Sequence, residues 1–193
     1  GIIAIHSMSL GPAAGGCRMH AYENEDAALA DVLRLSKGMS YKNAMAGLSA
    51  GGGKAVILAN PQRAKPQDLL EAFGRAVDSL GGKYITAQDV GISEADMVTV
   101  SKVTPHVAGL PGQGGDPGPY TARGVFLGVK AAVRHALGTD DLNGVHVAIQ
   151  GVGSVGGGLA RYLAAEGAKL TLADVDAQRA ADLAHELGAQ NVA

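Results

Sequence analysis

The stretch that decides the fold is HVAIQGVGSVGGGLARYLAAEGAKLTLADV, residues 146–175. An apolar run ends in Gly151-Val-Gly153-Ser154-Val155-Gly156, a helical pattern opens there, and a second apolar run, KLTLA, ends in Asp174. G-x-G-x-x-G alone is a weak signal in a glycine-rich chain, but strand, helix, second strand and a terminal acid agree on a βαβ unit. In such a unit Gly151 permits a tight turn and Gly153 lets backbone approach a pyrophosphate. Gly156 packs helix against strand, and the N–H groups of Ser154 and Val155 face the phosphates at the helix N-terminus. Asp174 can accept hydrogen bonds from ribose hydroxyls and would repel a 2′-phosphate, so the expected cofactor is NAD. Arg179 lies in the helix beyond and is the weaker candidate for a phosphate contact.

Outward from this unit, strand and helix patterns alternate, predicting an α/β protein with a parallel sheet. DAQRAADLAHELG reads as a helix, and AQNVA as the opening of a further strand. Upstream, YTARGVFLGVKAAVRHAL reads as a long helix closed by Gly138. Before it lies GLPGQGGDPGP (109–119), with five glycines and three prolines in eleven residues. Element interiors exclude that composition, so it marks a boundary or an active-site loop. The expected organisation is an α/β substrate domain over 1–118, then part of a doubly wound Rossmann domain over 119–193. A doubly wound sheet needs about six strands, and the chain begins inside a strand-like run, so both ends read as cut from something longer.

Totals exclude several function classes. The 193 residues are 47% hydrophobic and 18% charged, with a formal net charge of −2, as in a globular protein without an electrostatic footprint for nucleic acid or membrane. No run has the length of a membrane-spanning helix and no signal-peptide pattern is present. Cys17 is the single cysteine and reads as a small buried residue, so the expected setting is the cytoplasm. The six histidines lack ligand-like spacing, and no metal site is expected.

The first half places ionisable residues among small and apolar ones. In ENEDAALADVLRLSKGMSYKNAMAG, Leu29, Val32, Leu33, Met39 and Met45 predict a helix with Gly38 as a break, and Lys42 sits near its end. In AGGGKAVILAN, Lys54 follows three glycines and enters an apolar strand. Asp89 ends the strand-like KYITAQDVG, where the ligand-side loops of open sheets begin. Ser93 and Asp96 form a capping box. Singly, each lysine reads as solvated and Asp89 as a turn former. Together, ahead of a dinucleotide motif, they suggest proton chemistry beside a hydride-transfer site.

These residues carry a resemblance. LGPAAGGCRM, KGMSYKNAMAGLSAGGGKAVI, YITAQDVG, PYTARGVFLGVKAA, QGVGSVG and AEGAKLTLADVD resemble, in order and spacing, the Glu/Leu/Phe/Val dehydrogenases, most closely the leucine, valine and phenylalanine branch. The resemblance implies NAD-dependent, reversible oxidative deamination of an L-amino acid to a 2-oxo acid and ammonia, in a homo-oligomer. It implies that Lys54 and Asp89 are the catalytic pair and that Lys42 binds the substrate carboxylate. Gly15 and Gly16 would line the pocket, Ala14 and Ala87 would flank it, and Thr121 would contact the nicotinamide end. Cys17 stands where the family commonly has threonine. Ala14 and Ala87 leave branched-chain and aromatic substrates both open. Two other readings stand beside this one: an NAD oxidoreductase acting on a hydroxy acid, and a non-catalytic binding or assembly fragment.

Overall fold

The structure, a computed structural model, describes residues 1–63 and 65–192. The chain forms two compact units, 1–116 and 117–193.

The first unit is built around β4 (Gly51–Leu58), whose residues are buried from Gly51 to Ile57. β1 (Ile2–Ser7) pairs with it antiparallel. On its other edge two short strands follow one another in parallel, β2 (Ala13–Ala14) beside Gly51–Gly52 and β3 (Cys17–His20) beside 55–58. β5 (Tyr84–Ile85) continues the sheet next to β2. The expected parallel pairing holds at β2, β3 and β5, while β1 is antiparallel. Alternating hydrophobicity specifies faces, and strand direction is decided by the connection.

Alternation along β4 divides the core. Ala55 and Ile57 join Ala13, Cys17, Met19 and Tyr84 in the cluster covered by α2 (Gln67–Asp78) and α3 (Glu94–Ser101). Val56 and Leu58 face the other way, against Ala28 and Val32 of α1 (Glu25–Met45). The helix runs unbroken through Gly38. Its inner stripe is Ala28, Val32, Ser36 and Asn43, while Leu29, Leu33 and Met45 are exposed. Of the expected apolar positions Val32 and Met39 stay inward, and Leu29, Leu33 and Met45 turn out. α1 lies so close to β4 that a Cβ on Gly52 would collide with Ser40, and only small side chains fit the inner stripe. Ser93 and Asp96 close the capping box of α3 reciprocally.

The second unit opens with α4 (Gly118–Leu137), stopped by left-handed Gly138. Three parallel strands follow in the order β6 (His146–Gln150), β7 (Lys169–Ala173), β8 (Gln190–Asn191). They are joined through α5 (Ser154–Ala165) and α6 (Ala177–Leu187), the βαβαβ arrangement of one doubly wound half. The expected final strand is present as β8; Ala193 lies outside the described residues. Among the described residues no helix is long and apolar enough to cross a membrane.

Candidate active site

Lys54 is the charged member of the α1-facing row of β4, between Gly52 and Val56, and is 6% exposed. A buried ammonium needs a counter-charge, and Asp89 supplies it: Lys54 Nζ lies 3.1 Å from Asp89 Oδ2. The Asp89 segment reaches that position because the chain from β2 to β3 runs beside it. Gly15 N–H donates to Ile85 O at 3.2 Å and Cys17 N–H to Ala87 O at 2.8 Å. At Gly16 a Cβ would stand 2.9 Å from Asp89 Cβ and press on the Gln88 carbonyl, so only glycine allows the approach. A Cβ on Gly15 would meet the Gly53 carbonyl in the same way.

Burial alone would raise the Asp89 carboxyl, but Lys54 and Arg18 outweigh it and hold the group below the ordinary carboxylate range. The carboxylate stays ionised beside the ammonium. Burial pushes the Cys17 thiol up to about 12 against the pull of Lys54, so it stays protonated and inert.

Lys42, in the last turn of α1, is exposed and has no ion-pair partner among the described residues. Its neighbour Asn43 pins that end of the helix to the sheet, donating to Gly51 O at 2.6 Å and Ala14 O at 3.4 Å. Met39, one turn earlier, lies against Gly15. Ala14 and Ala87 are half-buried on the adjoining strand ends. The structure thus gathers Gly15, Gly16, Lys54 and Asp89 at the centre of the first unit, with Lys42 on the adjoining helix end. Sequence reasoning missed Asn43 and also Arg18, which lies between the core positions Cys17 and Met19 and donates from Nε to Asp89 Oδ2 at 3.0 Å. Period-two alternation from those neighbours was the available signal for Arg18.

In the second unit, Gly151 takes φ +90°, and a Cβ on Gly151 or Gly153 would meet nothing within 4 Å. A Cβ on Gly156 would strike the Gly151 carbonyl. Gly153 caps α5 without any side-chain hydrogen bond, leaving the N–H groups around Ser154 and Val155 available to an anion. Asp174 accepts from Val152 N–H at 2.7 Å and Asp176 N–H at 2.9 Å. These two bonds, the Asp176 one foremost, hold its carboxyl below the usual range. Arg179 Nη1 stands 3.7 Å from Oδ1. An open depression of about 580 Å³ lies among Gln150, Gly151, Ala173, Asp174, Val175 and Val192, at the carboxyl ends of the strands. Thr121 is in the first turn of α4, its hydroxyl donating back to Pro117 O at 2.8 Å. Among the described residues no group of three or more histidines, cysteines or acids is placed to hold a metal.

Comparison with known proteins gives a consistent result. Residues 1–106 match the family model for the dimerisation domain of Glu/Leu/Phe/Val dehydrogenases. Leucine dehydrogenase of Bacillus subtilis (strain 168) is 48% identical over 194 aligned residues, covering 99% of this chain and 53% of that protein. Valine dehydrogenase of Streptomyces virginiae is 51% identical over 177 residues, covering 90% of this chain and 49% of the relative. The crystal structure of L-tryptophan dehydrogenase from Nostoc punctiforme matches with a TM-score of 0.72 at 48% identity, over 98% of this chain and 54% of that one. The chain spans about half the length of the curated relatives it matches. On the family model and these relatives together, the chain belongs to the Glu/Leu/Phe/Val dehydrogenase family.

Proposed function

We propose that the protein catalyses reversible NAD-dependent oxidative deamination of an apolar L-amino acid, branched-chain or aromatic, giving the 2-oxo acid and ammonia. The observation that carries this reading is the ion pair of buried Lys54 with half-buried Asp89, 3.1 Å apart behind three buried glycines. The first unit would hold substrate and the second the dinucleotide.

The second unit fits a dinucleotide. Open space over Gly151 and Gly153, the uncapped N–H groups of α5 and the ionised Asp174 suit pyrophosphate and ribose respectively. Ser154, Val155 and Gly156 belong to that cradle, and Thr121 would stand at the nicotinamide end. NAD, when bound, supplies the hydride acceptor. The chain's own residues do the rest. Lys42 pairs with the substrate α-carboxylate. Gly15 and Gly16 let the substrate backbone close on the sheet between Ala14 and Ala87. Asp89 takes a proton from the amino group, leaving the nitrogen lone pair to support departure of hydride from Cα. Asp89 gives that proton up to solvent and takes one from water as it adds to the resulting iminium carbon, while the Lys54 ammonium stabilises the charge developing on that oxygen. Asp89 then hands its proton to nitrogen, and as ammonia leaves the carbinolamine hydroxyl releases its proton to solvent and the carbonyl forms.

The names of the relatives, leucine, valine and tryptophan dehydrogenases, support an apolar side chain. The small side chains of Ala14 and Ala87 leave room for either class, because one methylene is worth only about 1–3 kcal/mol of discrimination. A homo-oligomer is supported by the dimerisation-domain match, and a reducing cytoplasm by the single buried cysteine.

The test is an assay of the intact protein with NAD⁺ and leucine, valine, phenylalanine, tryptophan or glutamate, following NADH and ammonia together. Equimolar NADH and ammonia with an apolar amino acid is expected. NADH without ammonia, activity confined to hydroxy acids, or no turnover with any amino acid would overturn the reading.

A further inference from the structure

Arg18 extends the Lys54–Asp89 pair into a longer chain of charges. On β3 it pairs in parallel register with Val56, so its side chain leaves the sheet on the α1 face, the face that carries Lys54. Its guanidinium spans two acids on different elements. Nε donates to Asp89 Oδ2 at 3.0 Å, and Nη1 donates to Asp31 Oδ2 of α1 at 3.0 Å. Asp31 is fixed in turn by Tyr22 Oη at 2.7 Å and Arg34 Nη2 at 2.7 Å. Burial would raise the Asp31 carboxyl, but Arg34, Tyr22 and Arg18 together keep it lowered, so the anchor stays charged.

Both cations on Asp89 contact the same oxygen. Lys54 Nζ and Arg18 Nε meet Oδ2, and Oδ1 takes no protein hydrogen bond among the described residues. A carboxylate held by Lys54 alone could rotate about its terminal torsion and exchange its two oxygens, since that torsion is broad. The planar guanidinium fork, anchored at its far end by Asp31, removes that freedom.

We propose that Arg18, braced by Asp31, is a positioning residue that locks the Asp89 carboxylate with Oδ2 on Lys54 and Oδ1 presented to the substrate nitrogen. The proposal rests on the reading of Lys54 and Asp89 as the catalytic pair. It assigns the two oxygens different duties, one holding the lysine and the other exchanging the proton. Near Asp89 the other charged or titratable groups are Lys54, Cys17 and Tyr84, and the latter two are buried and neutral.

The test compares Arg18→Lys and Arg18→Met in the intact protein. Arg18→Lys keeps the cation and loses the fork. It is expected to lower kcat about 10-fold, with KM for the amino acid changed less than about 3-fold and the acid limb of the pH–rate profile in place. Arg18→Met loses both, and the acid limb should also move up by about 1 pH unit, as for a carboxylate deprived of one cation. Methylguanidinium added to Arg18→Ala should restore part of the rate. Asp31→Asn, which leaves Arg18 in place and loosens its anchor, should reproduce a milder kcat loss if the Arg18 variants fold poorly. Wild-type kcat in Arg18→Lys or Asp31→Asn overturns the positioning role. So does a loss confined to thermal stability without rescue. The catalytic-pair reading is checked separately by turnover: if Lys54→Ala retains it, that reading fails, while carboxyl NMR of Arg18→Met reports the Arg18 contact regardless, through a rise of the Asp89 pKa.

Discussion

Two glycine-rich segments, AGGGK in the first unit and GVGSVG in the second, look alike in sequence and differ in what occupies the space their glycines leave. A Cβ on Gly51 would run into the Ser7 carbonyl, one on Gly52 into Ser40 and Ser36, and one on Gly53 into the Tyr84 ring. At Gly151 and Gly153 the same atom would meet nothing. In the first unit glycine serves the protein's own packing, drawing α1 and Tyr84 onto β4 so that Lys54 is enclosed. In the second it keeps a surface bare. The first segment is packed tightly around a charge, and the second leaves open space over Gly151 and Gly153. The other close approaches in the first unit are at Gly15, against the Gly53 carbonyl, and at Gly16, against Gln88 and Asp89.

The largest effect that could break this contrast is on folding. Gly52→Ala should destabilise the protein by at least about 3 kcal/mol, because the obstructing atoms are helix backbone that cannot step aside. A thermal melt within a degree or two of wild type would show that α1 does not sit where described. Gly153→Ala should do the opposite. Its backbone is extended (φ −69°, ψ −156°), so stability should hold within about 0.5 kcal/mol. NAD affinity should fall about 10–100-fold, some 1.4–2.8 kcal/mol, read by calorimetric titration. Unchanged affinity would remove that open space from the cofactor site. A smaller effect is expected for Asp174→Asn, about 10-fold weaker NAD binding with less discrimination against NADP, since the repelling charge is gone. Undiminished preference for NAD would place that selectivity elsewhere.

The contrast also extends to acid. Carboxyls are lowered in both units, but in the first Asp31, Asp89 and Asp96 are packed against cations, whereas in the second Asp174 is held chiefly by backbone N–H groups and the pairs Arg161–Glu186 and Lys130–Glu166 are more exposed. A carboxyl lowered on folding contributes stability that is complete above its unfolded value, about 4, and is lost as pH falls through the folded value. Nothing should change between pH 8 and 5. Below about 4 native-state hydrogen exchange, corrected for intrinsic rates, should accelerate in 1–116 before 117–193. The reverse order would deny the first unit its internal charge cluster.

Much of this was legible in the residues. The strand–glycine–helix–strand–acid series wrote out the second unit, because each step has its own local signature. Lys54 and Asp89 could be singled out because charge at the entry of one apolar strand pattern and at the end of another is unusual. Their partner Arg18 was not, since alternation sets it on the face opposite Cys17 and Met19, and that face reads as surface until β3 is known to lie against β4. The inner face of α1 was misread for a related reason. Hydrophobic periodicity assumes that large side chains go inside, and Gly52 brings the helix too close for them, turning Leu29, Leu33 and Met45 outward. The direction of β1 depends on the path between strands, which local composition does not encode.

The central claim is that Lys54 is enclosed in order to act on substrate, while the dinucleotide is held by other residues. One sample tests it most directly: Lys54→Ala in the intact protein, assayed for amino-acid turnover and titrated with NADH. The account predicts turnover at least about 10³-fold lower, from the lost charge stabilisation and proton chemistry, with NADH affinity within about 3-fold of wild type. Turnover near the wild-type rate would contradict it.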